Sequence, residues 1–367
     1  MSYLMEDSSR DQICRVTYWI AYCKVTRMPE AARLKVDGGI PNRLAEVAGA
    51  SAALEERGYD GGWTAETNHD PFLPLLLAAE HTARLELGTN IAVAFARNPM
   101  IVANVGWDLQ AYSKGRFILG LGTQIQPHIE KRFGMPWSHP ARRMAEFVSA
   151  LRAIWSAWTD GTKLRFEGDF YTHKIMTPMF TPEPQPYPPP KIFLAAVGET
   201  MTEMCGEFAD GHLGHPMVSK RYLDEVTVPA LLRGMQRNGR DRGNFEVSCE
   251  VLVATGRDDA ELATATAAVR KQIAFYGSTP AYRKVLDLHG WGELHTELHR
   301  LSLAGEWDAM GSLIDDEMLA AFAVVGPLDT IAAGLKKRCE GAVDRVLPIF
   351  PTASATCITA ALKEFHE

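Results

Sequence analysis

Cysteine is sparse in this 367-residue chain: Cys14, Cys23, Cys205, Cys249, Cys339 and Cys357 stand singly, with no C-x-x-C pair. That spacing excludes a disulfide framework and a zinc ribbon, and it fits a reducing cytosol. No apolar run approaches the roughly 18 residues that a membrane-spanning helix needs. Glu6 and Asp7 precede any apolar stretch, the wrong order for a secretory signal. Basic residues number 38 against 45 acidic ones, and the net charge of −7 argues against a nucleic acid or an anionic membrane as partner. Also missing are a G-x-G-x-x-G after a first strand, a Walker loop and an H-E-x-x-H, which weakens dinucleotide-binding, P-loop and zinc-hydrolase readings. A small-molecule partner is expected instead. The composition is that of an ordinary globular protein, 46% hydrophobic and 23% charged.

From residue 34 onward, short apolar runs alternate with stretches of helical periodicity. Strands are predicted over 34–39 (LKVDGG), 61–67 (GGWTAET), 85–93 (LELGTNIAV) and 116–123, then over 191–197 (KIFLAAV), 211–218 (GHLGHPMV), 245–255 and 344–350 (DRVLPIF). Asn42 caps a helix that Gly58 stops, and Asn98-Pro99 opens another. Eight strands alternating with helices predict an α/β protein, a (β/α)8 TIM barrel, rather than an open sheet. Insertions are expected after strands 4 and 7. The first is a hairpin over 163–173 followed by a proline-rich connector, and the second is a mainly helical segment over 278–322 that would roof the pocket. Residues 31–367 form one domain in this reading. Residues 1–30 stand apart, either as an extra element covering the barrel bottom or as a poorly ordered extension with Met28 the natural start.

Function in such a barrel gathers at the carboxyl ends of the strands. Those ends read Asp37; Glu66, Thr67 and His69; Asn90 and Ile91; Gly122, Thr123 and Gln124; Ala195, Ala196, Val197 and Gly198; His212 and His215. Most are small or neutral and polar, which suits a flat, multiply hydrogen-bonded ligand. Gly120 and Gly122 let such a ligand come close, although a tight turn would want the same glycines. Residues 195–199 place small side chains before a helix start, which makes either a phosphate site or an ordinary strand-to-helix turn. His212 and His215 could approach His69, His128 and Asp37, but the spacing matches no metal motif and no metal is expected.

Five segments in register carry a resemblance: RLELGT at 84–89, Arg97-Asn98-Pro99, GRFILGLGT at 115–123, GDFY at 168–171 and KIFLAAVGETMTEMCGEFADGH at 191–212. Over about residues 34–350 the chain resembles the bacterial luciferase-like superfamily, and most of all its branch that uses coenzyme F420. The resemblance implies a hydride-transferring oxidoreductase, a deazaflavin cofactor, and a homodimer. It implies a non-prolyl cis peptide at Asn90-Ile91 behind the ring, Thr123 and Gln124 facing the ring or its ribityl chain, and His128 nearby. Backbone N–H groups of Ala196, Val197 and Gly198 would hold the cofactor phosphate, and Asp37, Glu66 and Thr67 would lie at the reacting face.

Two departures bear on the substrate. Related enzymes that act on glucose 6-phosphate follow the acidic residue of the second strand directly with a histidine, whereas here Glu66 is followed by Thr67. Their glutamate proton donor after the fourth strand is replaced by Gln124-Ile125-Gln126. Glu66 and His69 are therefore the expected proton-transfer groups, and glucose 6-phosphate is not the expected substrate. A monooxygenase using reduced FMN on the same fold, and a cofactor-binding barrel without turnover, are the alternatives.

Overall fold

The computed structural model describes residues 33–366, so the expectations for residues 1–30 lie outside the described part. Eight parallel strands close into a barrel: β1 (Lys35–Gly39), β2 (Gly61–Thr64), β3 (Glu86–Thr89), β4 (Phe117–Gly122), β5 (Lys191–Ala195), β6 (Gly211–Gly214), β7 (Glu246–Ala254) and β8 (Arg345–Ile349). Each pairs with its sequence neighbour, and β8 returns to β1 through the register Lys35–Arg345 and Val36–Val346. The strand runs expected from the sequence all form. The third is cut short: Glu86–Thr89 stops at Asn90, and Ala92–Val93 resumes pairing against β4.

The outer layer contains α1 (Leu44–Glu56), α2 (Phe72–Glu80), α3 (Pro99–Tyr112), α4 (Pro140–Asp160), α5 (Glu199–Phe208), α6 (Val228–Arg237), α7 (Asp259–Gly277) and α8 (Ile331–Cys339). Local chemistry starts several of them. The Asn98 carboxamide accepts the Met100 amide ahead of Pro99, and Asp258 accepts the Glu261 amide. Outward strand residues such as Val36, Leu87, Leu119, Ile192 and Val247 pack under these helices as the main core. Among the described residues, no helix is long and apolar enough to cross a membrane, and no group of His, Cys, Asp or Glu is placed to hold a metal ion.

Both insertions fall where expected. Phe166–Glu167 and Thr172–His173 pair as an antiparallel hairpin, and helices over Arg283–Leu288, Gly292–Ala304, Trp307–Gly311 and Asp316–Phe322 follow α7.

Charge closes the bottom of the barrel. Lys35, Glu86, Lys191 and Glu246 are the first residues of the odd-numbered strands, and Arg345 is the first of β8. Arg345 is fully buried and grips Asp37 with two bonds of 2.8 Å, while its third nitrogen reaches Glu86 at 2.8 Å and Glu246 at 3.1 Å. Lys35 bridges Glu86 and Glu246, and Lys191 adds a 2.6 Å contact to Glu246. Three cations thus face three carboxylates. Burial alone would lower the Arg345 pKa, but Asp37, Glu86 and Glu246 outweigh it and keep the guanidinium charged. Burial would raise Glu246, yet Arg345, Lys191 and Lys35 hold it at about 2. Trp63 lies over the guanidinium at 5.3 Å, and Gly61 is small because a Cβ there would sit 2.6 Å from both Arg345 and Asp37. Asp37, expected at the reacting face, belongs instead to this floor. Both of its oxygens are consumed by Arg345.

Replacing Arg345 by Met should cost about 3–5 kcal/mol, because Asp37 is left buried and unpaired. Urea unfolding at neutral pH measures this, and adding Asp37→Leu should recover most of the loss. Among the floor's carboxylates Glu86 and Glu246 are depressed, so their contribution is present above their ordinary pKa of 4.5 and is lost as pH falls through their lowered values, about 2 for Glu246.

Candidate active site

At the opposite end of the barrel, β3 gives way to a cis peptide between Asn90 and Ile91, where the resemblance had placed one. The fit against β4 is close. Thr89 donates its hydroxyl to the Gly120 carbonyl at 2.6 Å and accepts the Gly120 amide at 3.0 Å. A Cβ on Gly120 would lie 1.7 Å from the Thr89 carbonyl oxygen, so only glycine permits this approach. One step up, a Cβ on Gly122 would meet Ile91 Cδ1 at 2.9 Å. Ile91 therefore rests across the inward edge of β4, above an inner cluster of Trp63, Ile118, Phe193, Leu213 and Leu347. The result is an apolar shelf at the mouth.

The loop after β2 is held by ion pairs. Glu66 accepts the Val93 amide at 2.7 Å and an Arg97 nitrogen at 2.5 Å, and Arg97 also reaches Asp70 at 3.1 Å. Glu66 thereby ties the β2 loop to the segment after β3. Glu66, expected as a proton-transfer group, is found as the partner of Arg97 and of the Val93 amide, a contact that holds the loop. His69 is exposed, and among the described residues it makes no side-chain hydrogen bond. Thr67 accepts from Asn42 at 3.4 Å and donates to Asn68 at 3.1 Å, while its carbonyl receives Arg132. Thr123 and Gln124 turn into their own loop: Thr123 donates to the Gln124 carbonyl, and Gln124, at φ +60°, accepts the Ile125 amide. His128 is exposed on the short helix Gln126–Lys131.

Residues 195–198 open α5. Gly198 is its N-cap and supplies no side-chain acceptor, so the first-turn amides keep their donors and the positive end of the helix. Tyr222 donates to the Val197 carbonyl at 3.1 Å, and His212 Nε2 bonds the Ala196 carbonyl at 2.8 Å. His212 faces away from the barrel lumen: its register partners Leu194 and Val247 belong to the outer core, and it is fully buried. Burial lowers its pKa to about 4, so it is a neutral donor that steadies the β5 loop, not a ligand contact.

His215, by contrast, joins the mouth. Its ring stacks on Tyr282 at 4.5 Å and meets the edge of Tyr276 at 4.5 Å. Its Nδ1 accepts the Met217 amide, and burial lowers it to about 3, so it too is neutral.

Glu250 went unread in the sequence. It is the fifth residue of β7, in register with the inward Leu347, and it accepts the Asn90 carboxamide at 2.9 Å. Burial pushes its carboxyl up to about 7. Tyr276 and Tyr282 feel its charge, which places it beside the aromatic group that holds His215. A signal was available: in EVSCEVLVA, strand alternation puts Glu246, Ser248 and Glu250 on one face, so a carboxylate had to enter the lumen.

A closed parallel barrel, a cis-peptide shelf at its mouth and a helix start without a side-chain cap define the class of fold. The sequence model for the luciferase-like monooxygenase family matches residues 24–345, and the chain belongs to that family. An uncharacterized protein of Mycobacterium tuberculosis is 80% identical over 339 residues, covering 92% of this chain and all of that one. The 5,10-methylenetetrahydromethanopterin reductase of Archaeoglobus fulgidus is 26% identical over 309 residues, 81% of this chain and 88% of its own. Among solved structures, the coenzyme F420-dependent tetrahydromethanopterin reductase of Methanopyrus kandleri superposes with a TM-score of 0.71 at 19% identity, over 90% of this chain and 97% of that one.

Because Glu250 ionises near 7 when folded but near 4.5 when unfolded, stability should fall as pH rises through that interval. Glu250→Gln removes the loss. Relative to the parent, the variant should gain about 2–3 kcal/mol between pH 5 and pH 8, measured by denaturant unfolding at the two pH values.

Proposed function

We propose that this protein is an oxidoreductase that moves a hydride between the deazaflavin coenzyme F420 and a small organic substrate. The observation that carries the reading is the shelf formed by the Asn90–Ile91 cis peptide across Gly120 and Gly122, with the open start of α5 on the neighbouring strand β5. Ile91 offers an apolar surface for the back of a ring. The glycines of β4 remove the side chains that would obstruct it. The amides that open α5, around Gly198, are suited to a phosphate. When bound, the deazaflavin supplies hydride chemistry at C5 of its ring. The protein's part is to orient the ring, exclude water beneath it and provide a proton path. A relative in Mycobacterium tuberculosis described as a putative coenzyme F420-dependent oxidoreductase, 28% identical over 297 residues, supports the deazaflavin choice.

Reduced FMN would use the same shelf and the same helix start, and the family's own description as luciferase-like monooxygenase favours that second reading. Fluorescence titration of the purified protein separates them. Tight deazaflavin binding with weak FMN binding supports the first, and the reverse order overturns it. Gly198→Asp tests the phosphate seat. Its φ of −73° and open surroundings accept a side chain, and Asp is a good helix cap. The variant should keep its thermal stability while binding the cofactor about tenfold more weakly, the order expected for a charge at a helix end.

A further inference from the structure

Five carboxylates already described have a cation in contact: Asp37, Glu86 and Glu246 share Arg345, and Glu66 and Asp70 share Arg97. Glu250 stands apart. Among the described residues its one hydrogen-bond partner is the neutral carboxamide of Asn90, which holds Oε1 and leaves the second oxygen without a partner. The titratable groups that feel its charge are Tyr276 at the end of α7, Tyr282 in the insertion that follows and its chain neighbour Cys249, with His215 packed on the two tyrosines, and all four are neutral near pH 7. Glu250 keeps partial exposure, so its carboxyl is not sealed off from solvent. Asn90, its partner, is also half of the cis peptide that makes the shelf. The acid is thus anchored to the residue that precedes Ile91, the side chain on which the ring is proposed to rest.

We propose that Glu250 is the catalytic proton carrier of this site, oriented by Asn90. This rests on the deazaflavin reading above. In the reducing direction, a carbonyl or imine carbon of the substrate accepts a hydride, with its electron pair, from the reduced deazaflavin. The carbon–heteroatom π bond breaks, and the heteroatom takes a proton from Glu250. The carboxylate that remains is reprotonated by water. Oxidation of the alcohol or amine runs the same bonds backward, with Glu250 accepting the proton.

The position accounts for two features of the chain. The loop after β4 carries Gln124 and Gln126, neither of which can donate a proton as an acid, and Glu66 is committed to Arg97. Burial brings Glu250 up to about 7, where both protonation states are populated at neutral pH.

Infrared difference spectra of the cofactor-free protein between pH 5 and pH 9 give the first readout. A carboxylic acid band that titrates near pH 7, and is missing in Glu250→Gln, is expected. The second readout is single-turnover oxidation of the reduced deazaflavin by a panel of aldehydes, ketones and imines. Glu250→Gln should slow it at pH 7 by about 10²–10⁴-fold and remove the ionisation near 7, with cofactor affinity within about twofold of the parent. Glu250→Asp should restore part of the rate. A wild-type carboxyl that titrates only in the ordinary range overturns the proposal, as does a Gln variant with the parental rate and pH profile. Failure of the parent protein to bind deazaflavin, or to pass its hydride to the panel, sinks the cofactor reading and this step with it. Binding and turnover that are indifferent to Glu250 sink this step alone.

Discussion

Closure of the barrel depends on one buried ion pair. Arg345 opens β8 and Asp37 lies in β1, the two strands that must meet for the sheet to close, and their side chains are fully shielded from solvent. A charge in such a place is tolerable only if every lone pair and N–H finds a partner. Here the guanidinium uses Asp37 twice and then Glu86 and Glu246, while Lys35 and Lys191 balance the surplus. The arrangement joins β1, β3, β5, β7 and β8, so an incompletely closed sheet would strand several charges at once. That all-or-none character makes the floor a device for choosing a closed barrel over an open sheet.

Above the floor, bulk and its absence are interleaved. Gly61 admits Arg345 and Asp37, Gly88 admits the Trp63 ring, and Gly211 admits Phe193. The lumen is therefore a packed solid up to the level of Leu213 and Leu347. At the next level the glycines of β4 face Thr89 and Ile91, and the filling stops. The shelf is the upper surface of a packed core, which gives it the rigidity that the proposed ring-binding role requires.

Carboxylates inside one barrel meet opposite fates by the same rule. Where a fixed cation is in contact, attraction exceeds the cost of burial and the acid stays ionised, as at Glu246. Where the neighbours are an amide and aromatic rings, burial acts alone and the proton is retained toward neutrality, as at Glu250. A difference of four residues along β7 converts a structural anion into a titratable group. Proton-handling capacity is thereby concentrated at the mouth, while the floor stays electrostatically inert at neutral pH.

Much of this was legible in one dimension. Strand runs, the Asn98-Pro99 helix start and the two insertions follow from periodicity and local turn chemistry, which act over a few residues. The motif at 115–123 carries the resemblance that implies the cis peptide at Asn90-Ile91, and the shelf is built there. Individual side chains were a different matter. Asp37 looked like a mouth residue because glycines follow it, but its fate was decided by an arginine 308 residues away. His212 and His215 are three apart, yet one lies within β6 and faces the helices while the other follows the strand and meets the aromatic group at the mouth. Glu66 was drawn off by Arg97, and Glu250 was left without a cation. Short-range patterning determined the barrel, and the motifs in register determined the family to which the chain belongs. Which acids keep their protons was decided only when closure brought distant charges together, because desolvation and Coulomb forces depend on separation in space and not along the chain.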